Sequence, residues 1–206
     1  RVLGYRRSHA NSLFLFEKEL DLHVPDVVRQ HSENRPTLVF VSSRKNAEDL
    51  ATRLAGVPGL VKPATAPQQP AAKTDNAVLA KLLLHGVGFH TAALSANDRS
   101  VVEKAFAAGA LRVVVCTSTL AVGVDLPAFC VVVKSTQAYR GPSLGFQPLE
   151  RSTLVQMVGR AGRPGYDTRG VAVIMTEEGT EAAFQDLVGG LAPVTSTLVR
   201  NLDLAR

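Results

Sequence analysis

The chain has 206 residues, of which 46% are hydrophobic, and its formal net charge at pH 7 is +5. This length suits one domain with a sizeable core, and no apolar run is long enough to cross a bilayer, which argues against a membrane-spanning protein. The basic balance permits a polyanionic partner without requiring one. The sequence starts at Arg1 with no initiator methionine, so we expect a piece of a longer protein.

Short, valine-rich apolar runs alternate with helical patterns along the chain. An extended lead-in and a helix that begins near Pro25 come first. Unbroken apolar runs, typical of strands covered on both faces, predict strands over 37–42, 87–92, 112–117, 129–135 and 171–176. Apolar periodicity and capping residues predict helices over 43–55, 97–109, 150–160 and 178–189. This alternation predicts an α/β fold, with a parallel sheet flanked by helices on both faces.

Two segments depart from the alternation. Residues 56–75 are rich in proline, alanine and glutamine, and we interpret them as a flexible surface insertion within a domain of residues 1–188. Residues 189–206 are expected to form a linker and a further helix. Cys116 and Cys130 each lie within an apolar run, so we expect a buried, reduced pair rather than a disulfide or a metal site.

The segment QMVGRAGRPG places two fixed cations, Arg160 and Arg163, among glycines, and Gln156 precedes Arg160 by one helical turn. Guanidinium groups stay charged, and their planar fork matches phosphate oxygens. In a phosphoryl-transfer site such a group neutralises charge on the transferred phosphate, which contributes about a thousandfold or more in rate. Alternatively, both arginines pair with carbonyls at the end of a surface helix. The spacing alone does not decide between these interpretations.

Polar side chains also follow the predicted strand that contains VVVC. Thr117 and Thr119 end this strand, and a turn with Gly123 and Asp125 comes next. Ligands of parallel α/β sheets bind at the carboxyl ends of strands, so these hydroxyls can hold a nucleic-acid phosphate. Asp125 could accept bonds from a ribose or order the arginines. The alternative is that the hydroxyls cap the next helix.

A third candidate is the segment FVSSRK, in which Ser42, Arg44 and Lys45 follow a strand and open a helix. Amides at a helix N-terminus together with two cations can bind backbone phosphates. A solvated basic helix start is the alternative. His90 stands at the end of another predicted strand, where a lone histidine is more often structural than catalytic.

Taken in order, four segments resemble motifs of the second RecA-like domain of superfamily 2 helicases. TLVFVSSRKNAEDL is similar to motif IV, GFHTAALSANDR to the segment that follows it, CTSTLAVGVDLPA to motif V and QMVGRAGRPGYD to motif VI. The LPA continuation and the GRAGRP core resemble the Ski-like group. VVVKST, YDTRGVAVIMT and the opening VLGY…FLFEKEL look most like the meiotic crossover-promoting DNA helicases (the HFM/MER type). The resemblance covers nearly the whole chain except 56–75.

The resemblance implies that the glycine-rich segment serves an ATP site. Arg160 and Arg163 would act as arginine fingers that reach the γ-phosphate, with Gln156 near it. Gly123 and Asp125 would take part in nucleotide coupling. The residues after 188 would lead toward a winged-helix domain.

The resemblance also implies a nucleic-acid site, to which Ser42, Arg44, Thr117, Thr119 and His90 are assigned. The implied partners are single-stranded or branched DNA, and the first RecA-like domain and winged-helix domain of the same full-length chain. No membrane partner is expected, and the implied location is the nucleus.

Neither a GxxxxGK[ST] phosphate loop nor a DExH-type acidic cluster occurs in the sequence. In the resembling family both belong to the first RecA-like domain, which would bind most of the ATP and Mg²⁺. We therefore expect half of an ATP site and no hydrolysis by this chain alone. The implied function is the second motor domain of an ATP-dependent 3′–5′ DNA helicase in meiotic recombination and crossover formation. A Ski-like RNA helicase domain and a non-catalytic RecA-like docking or nucleic-acid-binding module are the alternatives.

Overall fold

The computed structural model describes residues 1–8, 12–61, 73–124, 126–163, 165 and 167–188. Its strands are β1 (Val2–Tyr5), β2 (Thr37–Phe40), β3 (Val87–His90), β4 (Val113–Cys116), β5 (Cys130–Val133), β6 (Gln137–Tyr139), β7 (Phe146–Pro148) and β8 (Val171–Glu177). Six of them form one parallel sheet in the order β1-β8-β5-β2-β4-β3. The other two, β6 and β7, pair as an antiparallel hairpin.

The centre of the sheet is apolar on both faces. Every residue of β2, β3, β4 and β5 is buried, as expected for parallel strands covered by helices. Val39 in β2 lies between Val115 in β4 and Val132 in β5, so a layer of valines crosses three strands. The predicted α/β architecture is confirmed. All five predicted strands are present, although most end one or two residues earlier than predicted.

The helices pack against this sheet. They are α1 (Leu13–His31), α2 (Arg44–Ala55), α3 (Ala77–Leu84), α4 (Ala96–Ala107), α5 (Thr119–Gly123), α6 (Arg151–Val158) and α7 (Gln185–Val188), with a 3₁₀ turn at Glu181–Phe184. Four of them begin with a side-chain cap that accepts a bond from a backbone amide of the first turn. These capping residues are Ser12, Ser43, Asn76 and Ser95.

The start of the first helix was predicted wrongly. α1 begins right after its cap, Ser12, and Pro25 lies inside the helix rather than at its start. A proline inside a helix costs about 3 kcal/mol because it removes a hydrogen bond and clashes with the preceding turn. Here Leu20, Val24 and Val28 are buried on one face of α1, and their packing against the sheet offsets that cost.

The lead-in is extended, as predicted, and forms β1, which pairs with β8. Other segments differ from the expectations: neither α3 nor the β6–β7 hairpin was predicted. The helix predicted over 178–189 is a 3₁₀ turn followed by the short α7. Most of the predicted insertion, 62–72, lies outside the described residues. The linker and helix expected over 189–206 lie outside them as well.

Within the described ranges, no helix is long and apolar enough to span a membrane. Cys116 and Cys130 are both buried with free thiols, as predicted. Burial raises the pKa of Cys116 well above its usual value and that of Cys130 to about 12. Both thiols are therefore protonated and unreactive in the folded chain at neutral pH.

Candidate functional site

A cleft of about 920 Å³ opens at the carboxyl edge of the sheet, beyond the ends of β2 and β4. Four of the predicted nucleic-acid-binding residues line it together, namely Ser42, Arg44, Thr117 and Thr119. The carboxyl ends of parallel strands meet at one edge, which is why segments far apart in sequence share this wall. The strand ends thus lie together at one cleft, and their assignment to a nucleic-acid site stays a prediction.

The charged residues of the cleft are mostly cationic, with four basic and two acidic side chains that leave a net charge of +2. They are Lys18, Arg44, Lys45, Arg140, Glu17 and Asp49. The hydroxyl oxygens of Thr117 and Thr119, which line the same cleft, lie 3.0 Å apart. Hydroxyl groups beside cations are the combination that proteins use to bind nucleic-acid phosphates.

Sequence reasoning missed part of this wall. Tyr139, Arg140 and Phe146 of the β6–β7 hairpin line the cleft, and Phe14 enters from α1. The rings of Tyr139 and Phe146 lie 5.4 Å apart between centroids, and the Tyr139 amide donates to the Ser42 carbonyl at 3.2 Å. The signal that could have found the hairpin is the pair of glycines at 141 and 145, which take positive φ in its turn.

A buried polar network supports the floor of the cleft. The Lys134 ammonium, which is fully buried, lies 2.7 Å from the carboxylate of Asp21 and 3.1 Å from that of Glu17. It also donates to the Asn46 side-chain oxygen at 2.7 Å. The Ser42 hydroxyl donates to Glu17 at 2.9 Å, so the network extends to the cleft surface. It joins α1, α2 and the end of β5.

His90 does not reach the cleft surface. Its ring is only 4% exposed, and Nε2 lies 2.8 Å from the Glu103 carboxylate. Burial lowers the pKa of His90, against the opposing effect of Glu103. The His90 carbonyl accepts a bond from the Thr117 amide at 3.4 Å, so the backbone of His90 holds the residue that follows β4. Direct contact between its side chain and a nucleic acid is not compatible with this burial.

The arginine-bearing segment follows α6 and is bound to the loop before β5. The Ala128 amide donates to the Arg160 carbonyl at 2.9 Å, and the Gly162 amide donates to the Ala128 carbonyl at 2.7 Å. The Arg160 guanidinium donates to the Ala121 carbonyl of α5 at 2.7 Å. Arg160 therefore contacts α5, the helix that begins at Thr119, rather than a carbonyl of its own helix. This contact joins the two segments that resemble motifs V and VI.

Arg163 makes a two-point ion pair. Its Nε and Nη2 atoms donate to the Asp167 carboxylate at 2.9 and 3.0 Å, and its side chain is 26% exposed. Arg35 binds the same carboxylate and stacks 3.9 Å above the Phe129 ring. The hydrogen bonds from Arg163 lower the pKa of Asp167, so this acid is ionised at neutral pH. Sequence reasoning did not single out Asp167 or Arg35.

The remaining residues predicted for the nucleotide side are Gln156, Gly123 and Asp125. Gln156 is exposed on α6, one turn before Arg160, whereas Leu154 and Met157 on the same helix are buried. Gly123 ends α5, and a Cβ there would meet no atom within 4 Å. Asp125 lies outside the described residues.

Residues 18–165 match the model of the helicase conserved C-terminal domain. The chain belongs to this family. Its RecA-like fold, predicted from the motifs, is therefore confirmed. The matched range of this helicase C-terminal domain includes every predicted site residue from Ser42 to Arg163 and ends before Asp167.

The domain is also similar to several longer helicases. It is 37% identical over 209 residues to the ATP-dependent DNA helicase homolog MER3 of Arabidopsis thaliana, covering 97% of this chain and 18% of that protein. It is 38% identical to the probable ATP-dependent DNA helicase HFM1 of Xenopus tropicalis, over 98% of this chain and 15% of that protein. It is 32% identical to the RQC trigger complex helicase SLH1 of Saccharomyces cerevisiae, over 85% of this chain and 9% of that protein. The helicase C-terminal domain thus spans less than a fifth of these relatives.

Proposed function

We propose that this domain is the second motor domain of an ATP-dependent 3′–5′ DNA helicase that acts in meiotic recombination and crossover formation in the nucleus. The observation that carries the proposal is the pairing of two features at one edge of the sheet. The first feature is a basic cleft lined by Ser42, Arg44 and Thr117, at which α5 begins. The second is the segment of Arg160, whose side chain contacts α5. The similarity to proteins named ATP-dependent DNA helicases supports the motor function and the DNA substrate.

On the nucleotide side, Arg160 and Arg163 act as arginine fingers for an ATP molecule held with Mg²⁺ mainly by the first RecA-like domain. Gln156 lies near the same phosphates. Gly123 and Asp125 couple ATP binding and hydrolysis to the cleft. Charge develops on the transferred phosphoryl group, and a fixed guanidinium stabilises it by about 10³- to 10⁵-fold in rate. The contact between Arg160 and α5 supports coupling, because α5 begins at a residue of the cleft.

On the nucleic-acid side, the hydroxyls of Ser42, Thr117 and Thr119 and the cation of Arg44 bind the backbone of one strand. The two RecA-like domains close when ATP binds and separate after hydrolysis. In this cycle the strand is bound alternately by this domain and by the first domain. ATP drives closure only because it binds the closed arrangement more tightly. His90 contributes through the strand end that it supports and makes no direct contact with DNA.

The nucleotide role is tested in the full-length protein by changing the two arginines separately. Arg160→Ala and Arg163→Ala are each expected to lower DNA-stimulated ATP turnover by about a thousandfold, with single-strand binding close to wild type. Arg169→Ala is the matched control, because it removes a nearby arginine that is 67% exposed and pairs only at the surface with Glu33. Normal turnover in both finger variants would contradict the proposal. A full-length protein that binds DNA but hydrolyses no ATP would be the non-catalytic module instead.

The strand role is tested by the salt dependence of binding in the same protein. Arg44→Ala should flatten the plot of log affinity against log salt by about 0.7 for single strands, because one phosphate contact is lost. Thr117→Val keeps the side-chain volume and removes the hydroxyl, so it should weaken binding without changing that slope. Unchanged affinity in both variants would rule out this cleft as the strand site.

RNA is the second candidate substrate. The cleft groups assigned to the strand are hydroxyls and cations that bind phosphates, and such contacts do not read the sugar. Strand displacement by the full-length protein on matched DNA and RNA duplexes separates the two. Faster displacement of DNA is expected, and displacement restricted to RNA would replace the DNA assignment.

The isolated chain is expected to hydrolyse no ATP, because the phosphate loop and the acidic Mg²⁺ motif are absent from its sequence. Turnover by the purified chain, with contaminating ATPases excluded, would contradict this expectation.

A further inference from the structure

One carboxylate organises the turn that carries Arg163. Both oxygens of Asp167 accept bonds from the Arg163 side chain, and Oδ2 also accepts from the Arg163 amide at 3.0 Å. The Asp167 amide in turn donates to the Arg163 carbonyl at 2.9 Å. The Asp167 side chain has no solvent exposure, whereas that of Arg163 is 26% exposed. The acid thus lies under the turn and the guanidinium at its surface.

The glycines near Arg163 do little to restrict the conformation of its side chain. Gly162 and Gly165 both have positive φ, at 97° and 79°, in the region that favours glycine. Neither glycine has a side chain that could pack against the arginine. Among the contacts of the described residues, the two-point bond to Asp167 fixes the plane of the Arg163 fork relative to its own turn.

A second arginine anchors the carboxylate from the sheet side. Arg35 lies in the loop before β2, binds Asp167, and stacks on the Phe129 ring at 3.9 Å. Phe129 is fully buried and directly precedes β5. Asp167 is thereby fixed to the core by Arg35. Two guanidinium charges and one carboxylate charge leave the cluster of Arg35, Arg163 and Asp167 with a net charge of +1.

We propose that Asp167 is a positioning residue for the arginine finger Arg163, and that Arg35 fixes Asp167 for this task. Asp167 does not touch the nucleotide. It holds the Arg163 fork in one orientation before ATP arrives, so the transition state is met without reorganisation. The net positive charge of the cluster keeps it compatible with an incoming triphosphate. This inference rests on the proposed function, because it requires Arg163 to be a finger.

The test uses the full-length protein and Asp167→Asn. Asparagine has nearly the same shape, but its amide group would face an arginine N–H, so the two-point bond is lost. Turnover of ATP should fall roughly ten- to hundredfold, the effect of misplacing a catalytic group by about 1 Å. The KM for ATP and the affinity for DNA should stay close to wild type. Glu33→Gln, which removes a surface acid paired with Arg169, is the control that should leave all three values unchanged.

A double variant separates positioning from a purely structural role. If Asp167 acts through Arg163, Arg163→Ala with Asp167→Asn should turn over ATP no more slowly than Arg163→Ala alone. If the two losses multiply, or if Asp167→Asn is as active as wild type, the positioning role is overturned. Faster turnover in Asp167→Asn would also overturn it, because the carboxylate would then restrain the finger. Normal turnover in Arg163→Ala is the distinct result that removes the proposed finger itself.

Arg35→Gln provides a second variant in case Asp167→Asn does not fold. The bond between Arg163 and Asp167 stays in place in this variant, but the carboxylate loses its anchor to the core. Turnover should fall less than in Asp167→Asn, again with unchanged KM for ATP. Wild-type turnover in a folded Arg35→Gln protein would remove Arg35 from the proposal.

Discussion

Replacing Lys134 by methionine is expected to lower the free energy of unfolding by about 3–5 kcal/mol, the range measured when one partner of a buried ion pair is removed. The Lys134 side chain is fully buried, and its partners Glu17 and Asp21 are only 7% and 4% exposed. Methionine fills the space of the lysine stem. Both carboxylates, however, would lose the buried cation that compensates them.

The assay is equilibrium unfolding of the chain in urea. With a urea dependence of about 2–3 kcal/mol per molar, the transition midpoint should move down by roughly 1–2 M. Lys18→Met is the matched control, because Lys18 also faces Asp21 but at 4.0 Å and with 44% exposure. An exposed pair of this kind contributes about 0–1 kcal/mol, so the control should shift little.

A second change in the Lys134→Met background tests the cause. Asp21→Asn removes one of the two stranded charges, so the double variant should recover part of the lost stability. If Lys134→Met is within about 1 kcal/mol of wild type, water or rearrangement compensates the acids, and the reasoning from burial is refuted.

Three further predictions concern other parts of the chain. Gly170→Ala should destabilise the arginine-bearing turn and reduce ATP turnover in the full-length protein, because its Cβ would lie 2.4 Å from the Ala161 backbone. Gly56→Ala, whose nearest contact would be 3.5 Å, should be tolerated, and equal effects of the two would contradict the steric argument. Burial lowers the pKa of His90, so the unfolded chain takes up a proton first as pH falls below about 6.5. The unfolding free energy should therefore decrease as the pH is lowered through that window. It should decrease less steeply in His90→Gln, and an identical pH dependence of the two proteins would contradict this. Both buried cysteines should resist iodoacetamide at about pH 8 until urea unfolds the chain, and rapid labelling of the native chain by mass spectrometry would show otherwise.

The parallel sheet could be predicted from the sequence because its strands are buried on both faces. Runs such as VVVC at 113–116 have no polar residue to suggest any other structure. The position of the cleft followed from the same reasoning, since Ser42 and Thr117 each follow such a run. Local rules failed at Pro25, where packing of α1 offsets the lost hydrogen bond.

Contacts between distant segments could not be predicted from a single sequence. The ion pair between Lys134 and Asp21 joins residues 113 positions apart, and that between Arg35 and Asp167 joins residues 132 apart. Lys134 lies in the buried strand predicted over 129–135, but no local pattern identifies its partner or distinguishes Asp21, Arg35 and Asp167 from exposed charges. The strand predicted over 87–92 indicated that His90 is buried, but its pairing with Glu103 could not be predicted, because it depends on how α4 packs near the end of β3.

Ligand affinity in the full-length protein shows whether Arg160 and Arg163 complete an ATP site on a neighbouring domain. ADP with aluminium fluoride mimics the transferred phosphoryl group, whereas ADP alone lacks it. Arg160→Ala and Arg163→Ala are each expected to weaken binding of the fluoride complex by about a hundredfold or more while ADP affinity is unchanged. Equal affinity of both variants and wild type for the fluoride complex would contradict this expectation.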